Sequence, residues 1–226
     1  MNFVIVSEKS WNRELPGRLQ NRFPGYSFYL IDKKEDFSAE KLASLNPRYV
    51  FIPHWSYFIP SDIFSQYECV VFHMTDLPYG RGGSPLQNLI IRGVKKTMIS
   101  ALKVVEELDA GPVYLKRELL LCGTAEEIFI EANRVIEQMI IEMIEKQPEP
   151  KEQQGEVVKF SRRKPEQSNI ENVENIEKLL DHIRMLDAEG YPKAFLETEN
   201  FIFEFSRASL KSDKTILADV RIISKN

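Results

Sequence analysis

Two cysteines in 226 residues, Cys69 and Cys122, are too few for a disulfide framework, and neither has His or Cys at metal-ligand spacing around it. Both read as buried free thiols, and no metal site is expected. Basic residues do not outnumber acidic ones: 30 Lys and Arg stand against 34 Asp and Glu, a net charge of −4. Proteins that hold a phosphate backbone normally present a basic face, so this balance predicts no nucleic-acid partner; the cluster Arg162-Arg163-Lys164 is too short to reverse it. No apolar run is long enough to span a bilayer, which predicts no membrane partner. The start, Met1-Asn2-Phe3-Val4-Ile5-Val6-Ser7, lacks a basic n-region and reads as a buried first strand, so a cytoplasmic location is expected. A Gly-x-Gly-x-x-Gly fingerprint is missing, which argues against dinucleotide binding, and no internal repeat is found.

What is present is an ordinary globular composition, 43% apolar and 28% charged, on a chain long enough to bury a substantial core. Apolar runs at residues 2–7, Tyr49–Pro53 and Cys69–His73 have the composition of strands buried on both faces, and helical stretches near Arg13–Arg22 and Ser38–Leu45 separate them. Alternation of this kind predicts an α/β fold with a mostly parallel sheet. Pro85 to Gly93 reads as a helix entered through Ser84, and Thr97–Val104 and Val113–Leu121 alternate like paired strands. Thr124-Ala125-Glu126-Glu127 is a capping box that opens a long amphipathic helix. Gln147–Gly155 is rich in Pro, Gln and charge and marks a surface connection. A helix at Ile176–Leu186 and strands at Phe201–Phe205 and Leu217–Ile223 follow. We expect a main domain over residues 1–165 and a small α+β cap over 166–226, which builds either part of the substrate site or a homodimer contact.

The most informative stretch begins with His73, at the end of an apolar strand. It continues through Met74-Thr75-Asp76-Leu77-Pro78-Tyr79-Gly80-Arg81-Gly82-Gly83, and a later turn holds Leu108-Asp109-Ala110-Gly111. An imidazole on a rigid element, entering a loop too rich in Gly and Pro to continue the sheet, is open to a ligand, and Asp109 can orient it.

These residues resemble the formyltransferase family that uses 10-formyltetrahydrofolate. The match runs through Val71-Phe72-His73, Thr75-Asp76-Leu77-Pro78, Arg81-Gly82 and Leu108-Asp109-Ala110-Gly111. Phe160–Pro165, Ile183-Arg184 and Tyr191–Phe195 resemble the sugar-nucleotide branch. The resemblance implies a Rossmann-like domain and the cosubstrate 10-formyltetrahydrofolate. The acceptor it implies is a nucleotide-linked amino sugar in surface-glycan biosynthesis. Methionyl-tRNA and an aminoacyl carrier are rival acceptors, and a non-catalytic folate- or nucleotide-sugar-binding protein is a rival class. One departure stands out: where the family has Asn, two residues before the histidine, this chain has Val71, whose side chain donates no hydrogen bond.

Formyl transfer to an amine needs stabilisation of charge on oxygen and removal of a proton from the nucleophile. His73 can do the first when protonated or the second when neutral, with Asp109 fixing its tautomer. Asn88, Thr75 or an ordered water is expected to replace the missing Asn donor. By resemblance, Tyr57, Phe58 and Ile59 line the pterin from one side and Val105, Glu106, Glu107 and Leu108 from the other. The loop carrying Lys9 and Trp11 is a candidate for nucleotide-sugar phosphate, with Tyr191 and Lys193 as sugar-site candidates. Gly82 and Gly83 belong to the substrate turn, and Arg81 either pairs with phosphate or folate carboxylate or braces that turn.

Overall fold

The computed structural model describes residues 1–225. In chain order its elements are β1 (Asn2–Ser7), α1 (Leu15–Arg22), β2 (Ser27–Ile31), α2 (Ala39–Leu45), β3 (Pro47–His54), α3 (Ser61–Phe64), β4 (Cys69–His73), β5 (Tyr79–Gly82) and α4 (Pro85–Ile91). There follow β6 (Lys96–Lys103), β7 (Val113–Leu120), α5 (Ala125–Lys146), β8 (Val158–Phe160), α6 (Ile176–Arg184), β9 (Ala194–Glu197), β10 (Phe201–Leu210) and β11 (Ile216–Ser224). The fold is α/β, as the alternation of apolar runs and helices predicts.

Six strands form one sheet in the order β2-β1-β3-β4-β6-β7. β1, β2, β3 and β4 run parallel, and β6 returns antiparallel to β4 with Val70 opposite Lys103 and His73 opposite Ser100. The central strands are apolar throughout because helices cover both faces: Val4, Ile5, Val6, Val50, Phe51 and Val70 are fully buried. Phe3 stacks on Phe28, Tyr49 and Phe51 across three strands.

Local signals place the helices. Ser38 caps α2 through the Lys41 N–H, and Asn46 closes it in the left-handed region. At α5 the Thr124 hydroxyl accepts from the Glu127 N–H while the Glu127 carboxylate accepts from the Thr124 N–H, the reciprocal pair of the capping box. Ser84 differs from expectation: its φ is +50° and its hydroxyl accepts from the Arg163 N–H in place of capping α4.

Two compact units interleave along the chain. One comprises residues 1–81, 98–119 and 130–159; the other comprises 82–97, 120–129 and the chain from 160 onward. The second holds the antiparallel sheet β11-β10-β9, with α6 packed on β10. Asn175 caps α6 through the Lys178 N–H. Among the described residues, no helix is long and apolar enough to cross a membrane.

Candidate active site

β4 delivers His73 to its carboxyl end, where the turn Thr75–Pro78 stops the strand. The ring is buried, and its Nε2 lies 2.8 Å from the Gly80 carbonyl oxygen. A carbonyl only accepts, so Nε2 carries a proton and Nδ1 is the basic nitrogen of the neutral ring. Nδ1 faces the Asp109 Oδ2 at 3.6 Å, with both side chains about nine-tenths buried. That separation exceeds a direct hydrogen bond but lets one reacting atom sit about 2.8 Å from both groups. The pair expected from the sequence is therefore assembled, within the first compact unit.

Asp109 reaches His73 because the loop after β6 runs back along β4: the Val104 N–H bonds the Cys69 carbonyl at the start of β4, and five residues later the carboxylate meets His73 at its end. Asp109 adopts a φ of +54°, in the left-handed region that an L-residue rarely occupies. Gly111 makes the return possible, since a Cβ there would lie 1.8 Å from the Lys103 carbonyl oxygen. The Gln153 carboxamide spans the turn, with Nε2 donating to the carbonyls of Asp109 and Gly111, each at 2.8 Å. Its Oε1 accepts from Arg81 Nε at 3.1 Å and Nη2 at 2.8 Å, and Arg81 Nη1 is 3.6 Å from Glu107. Arg81 is thus tied to the Asp109 turn through Gln153. Gln153 was missed, since nothing local in the polar stretch 147–155 marks it.

Several of the other candidate side chains have partners within the fold. Asn88 Nδ2 donates to the carbonyls of Gly83, Ser84 and Ser161, and its Oδ1 accepts from Arg92; the amide holds a turn and has no N–H to spare for an oxyanion. Thr75 is fully buried with its hydroxyl directed at the Gly80 carbonyl, so it does not face a substrate. Gly82 and Gly83 serve close chain packing, because Cβ atoms there would lie 2.3 Å from the Phe160 carbonyl oxygen and 2.6 Å from the Arg162 Cβ. Lys193 pairs with Asp187 at 2.8 Å, and Tyr191 stacks on Phe129, burial pushing its hydroxyl up to about 12. Val71 packs against the core that Ile52 and Cys69 share. Cys122 is exposed, contrary to its apolar context, while burial raises the Cys69 thiol to about 12.

The remaining candidates lie in the first unit. Phe58 is 83% exposed, Tyr57 less so, and Ile59 packs at the edge of the core. Glu106, Glu107 and Leu108 are exposed immediately before Asp109. Lys9 Nζ sits 5.5 Å over the Trp11 ring, which meets His54 edge-on; burial foremost, then the Lys9 charge, lowers His54 to about 4.

Comparison with known proteins gives two family matches. A model described as formyl transferase covers residues 20–143, and one described as the C-terminal domain of methionyl-tRNA formyltransferase covers 165–223. The methionyl-tRNA formyltransferase of Thermodesulfovibrio yellowstonii is 29% identical over 159 residues, 67% of this chain and 52% of the relative. The chain thus spans about half the length of that curated relative. A solved structure described as methionyl-tRNA formyltransferase from Clostridium thermocellum is 50% identical, with a TM-score of 0.96 over 99% of both chains. A sugar N-formyltransferase from Shewanella is 15% identical, with a TM-score of 0.65 over 97% of this chain and 96% of that one, a likeness of fold alone. These matches overturn the expected nucleotide-sugar acceptor. They equally overturn the expectation of no nucleic-acid partner, which rested on net charge, a sum that says nothing about where charges lie.

Proposed function

We propose that this chain, which belongs to the formyl transferase family, moves a formyl group from 10-formyltetrahydrofolate to the α-amine of methionyl-tRNA. The buried His73–Asp109 pair, 3.6 Å apart, carries the reaction class. The acceptor rests on the 50% identical structure and on the C-terminal domain match over 165–223.

The residues fit the donor. A flat heteroaromatic with a polar edge needs apolar surface and accessible main chain. Exposed Phe58, exposed Leu108 and the irregular segment 104–108 leading to Asp109 are of that kind. When bound, the donor supplies an acyl group already activated on nitrogen.

His73 then acts through one nitrogen. With the Nε2 proton committed to Gly80, Nδ1 is the atom that takes the proton from the attacking amine as the new carbon–nitrogen bond forms. Nδ1 returns that proton to the departing folate nitrogen as the old bond breaks. Asp109 balances the imidazolium charge between the two transfers. No covalent enzyme intermediate is required, because the amine is the nucleophile.

The test is incubation of the protein with 10-formyltetrahydrofolate and methionyl-tRNA, followed by deacylation and mass spectrometry for formylmethionine. Formylmethionine from wild type, and none from His73→Ala, is expected. Formylation of small amines without any of methionyl-tRNA would overturn the acceptor. No formyl transfer to any amine would overturn the reaction class.

A further inference from the structure

We infer that Gln153 is a positioning residue for formyl transfer, holding the Asp109 turn in register with His73 by tying it to Arg81; this rests on the function proposed above.

The contacts close a ring. His73 Nε2 donates to the Gly80 carbonyl, and the next residue, Arg81, grips Gln153 Oε1 with two N–H groups. Gln153 Nε2 holds the carbonyls of Asp109 and Gly111, and the Asp109 carboxylate faces His73 Nδ1. One carboxamide has two N–H donors and two acceptor lone pairs, and this one uses all four. The segment that carries Gln153 is itself anchored: Lys151 exchanges backbone hydrogen bonds with Val113 at 2.7 and 2.9 Å.

The ring matters because the conformation it holds is costly. A left-handed aspartate is kept only where surrounding contacts over-determine it, and the carbonyls of residues 109 and 111 are the ones Gln153 clamps. Without the clamp the turn can relax, and the carboxylate moves away from Nδ1. Misplacement of a catalytic group by about 1 Å costs on the order of 10²-fold in rate. Arg81 serves the same end from the other side, since it continues the backbone that fixes the His73 tautomer.

The two hydrogen-bonding ends of Gln153 can be separated. Gln153→Glu keeps an oxygen for Arg81 but replaces the two donors to the turn, so it is expected to behave like Gln153→Ala. Both variants should lower kcat for formyl transfer by about 10–100-fold, with KM for both substrates within about twofold. In an Asp109→Asn background, Gln153→Ala should lower kcat by less than about twofold, because the group it positions is already disabled. A general structural role predicts equal losses in both backgrounds, and that result would overturn the inference, as would an unchanged kcat for Gln153→Ala. A readout free of activity is the ring ¹⁵N spectrum of His73, assigned with His73→Ala. Gln153→Ala should shift the Nδ1 resonance toward its Asp109→Asn position. An unmoved resonance would overturn the inference even if wild type formylates no acceptor, which separates its failure from that of the proposed function.

Discussion

His73 and Gly80, seven residues apart, share a 2.8 Å hydrogen bond from ring Nε2 to carbonyl oxygen, and that bond decides which nitrogen can do proton transfer. It also satisfies a buried carbonyl. Two substitutions separate these roles. His73→Ala removes both, and should lower kcat by about 10²–10⁴-fold. It should also destabilise the fold by about 1 kcal/mol, since the Gly80 oxygen loses its 2.8 Å hydrogen bond and keeps only the 3.5 Å one from the Thr75 hydroxyl. His73→Gln places an amide N–H near the Nε2 position and should recover most of the stability with no recovery of rate. Urea denaturation beside single-turnover kinetics reads both, and a Gln variant as active as wild type would exclude proton transfer at Nδ1.

Asp109 combines a charge with an unusual backbone, at φ +54°. Asn tolerates the left-handed region as well as Asp does, so Asp109→Asn removes the charge and leaves the turn. Its kcat should fall by about 10²–10³-fold with stability within about 0.5 kcal/mol of wild type. Asp109→Ala meets the steric penalty of that region and should lose about 1–2 kcal/mol as well. If thermal denaturation found the Asn variant as unstable as the Ala variant, the carboxylate would be a fold-maintaining group.

His54, at the end of β3 beside Trp11 and Lys9, makes stability fall in mild acid. Its folded value of about 4 lies below the ordinary 6.5, so between those pH values the unfolded chain binds a proton that the fold refuses. This contribution is complete above pH 6.5 and declines as pH drops toward 4, by at most about 3 kcal/mol. His54→Gln should flatten the decline in Tm between pH 7 and pH 4.5. An unchanged slope would assign the acid sensitivity to other groups.

Much of this was legible in the chain, for reasons that also mark where legibility ends. β1, β3 and β4 are apolar on both faces because helices cover both, and Thr124 with Glu127 announces α5 because capping is local. His73 and Asp109 stood out because each lies at an abrupt break, one leaving a strand and one before Ala-Gly-Pro. β5, β8 and β9, each three or four residues long, have no period to show, and β5 pairs with β8 from far along the chain. Asn88, Thr75 and Lys193 looked available because a sequence shows a polar group without its partner; the fold supplied carbonyls and Asp187. Gln153 was invisible for the converse reason, since its four partners come from residues 42 to 72 positions away.

Arg184 offers a test of the second compact unit by itself. Its Nε pairs with Asp181 at 2.6 Å, and its Nη1 donates to the carbonyls of Leu121 and Gly123 at 2.9 and 3.0 Å. The side chain is only 10% exposed, so these bonds form where water cannot replace them. Removing one partner of a buried ion pair leaves the other charge and its acceptors unsatisfied, and Arg184→Ala should cost about 3–5 kcal/mol. Arg184→Lys keeps the charge but has no planar fork to serve a carboxylate and two carbonyls together, so it should recover only part of that loss. Arg184→Met paired with Asp181→Leu removes both charges and should be less harmful than Arg184→Ala, since the two carbonyls are then the only groups left short. Chemical denaturation of the four proteins orders them; a loss below about 1 kcal/mol for Arg184→Ala would mean that water reaches the pair and that the packing of α6 on β10, not this ion pair, holds the unit together.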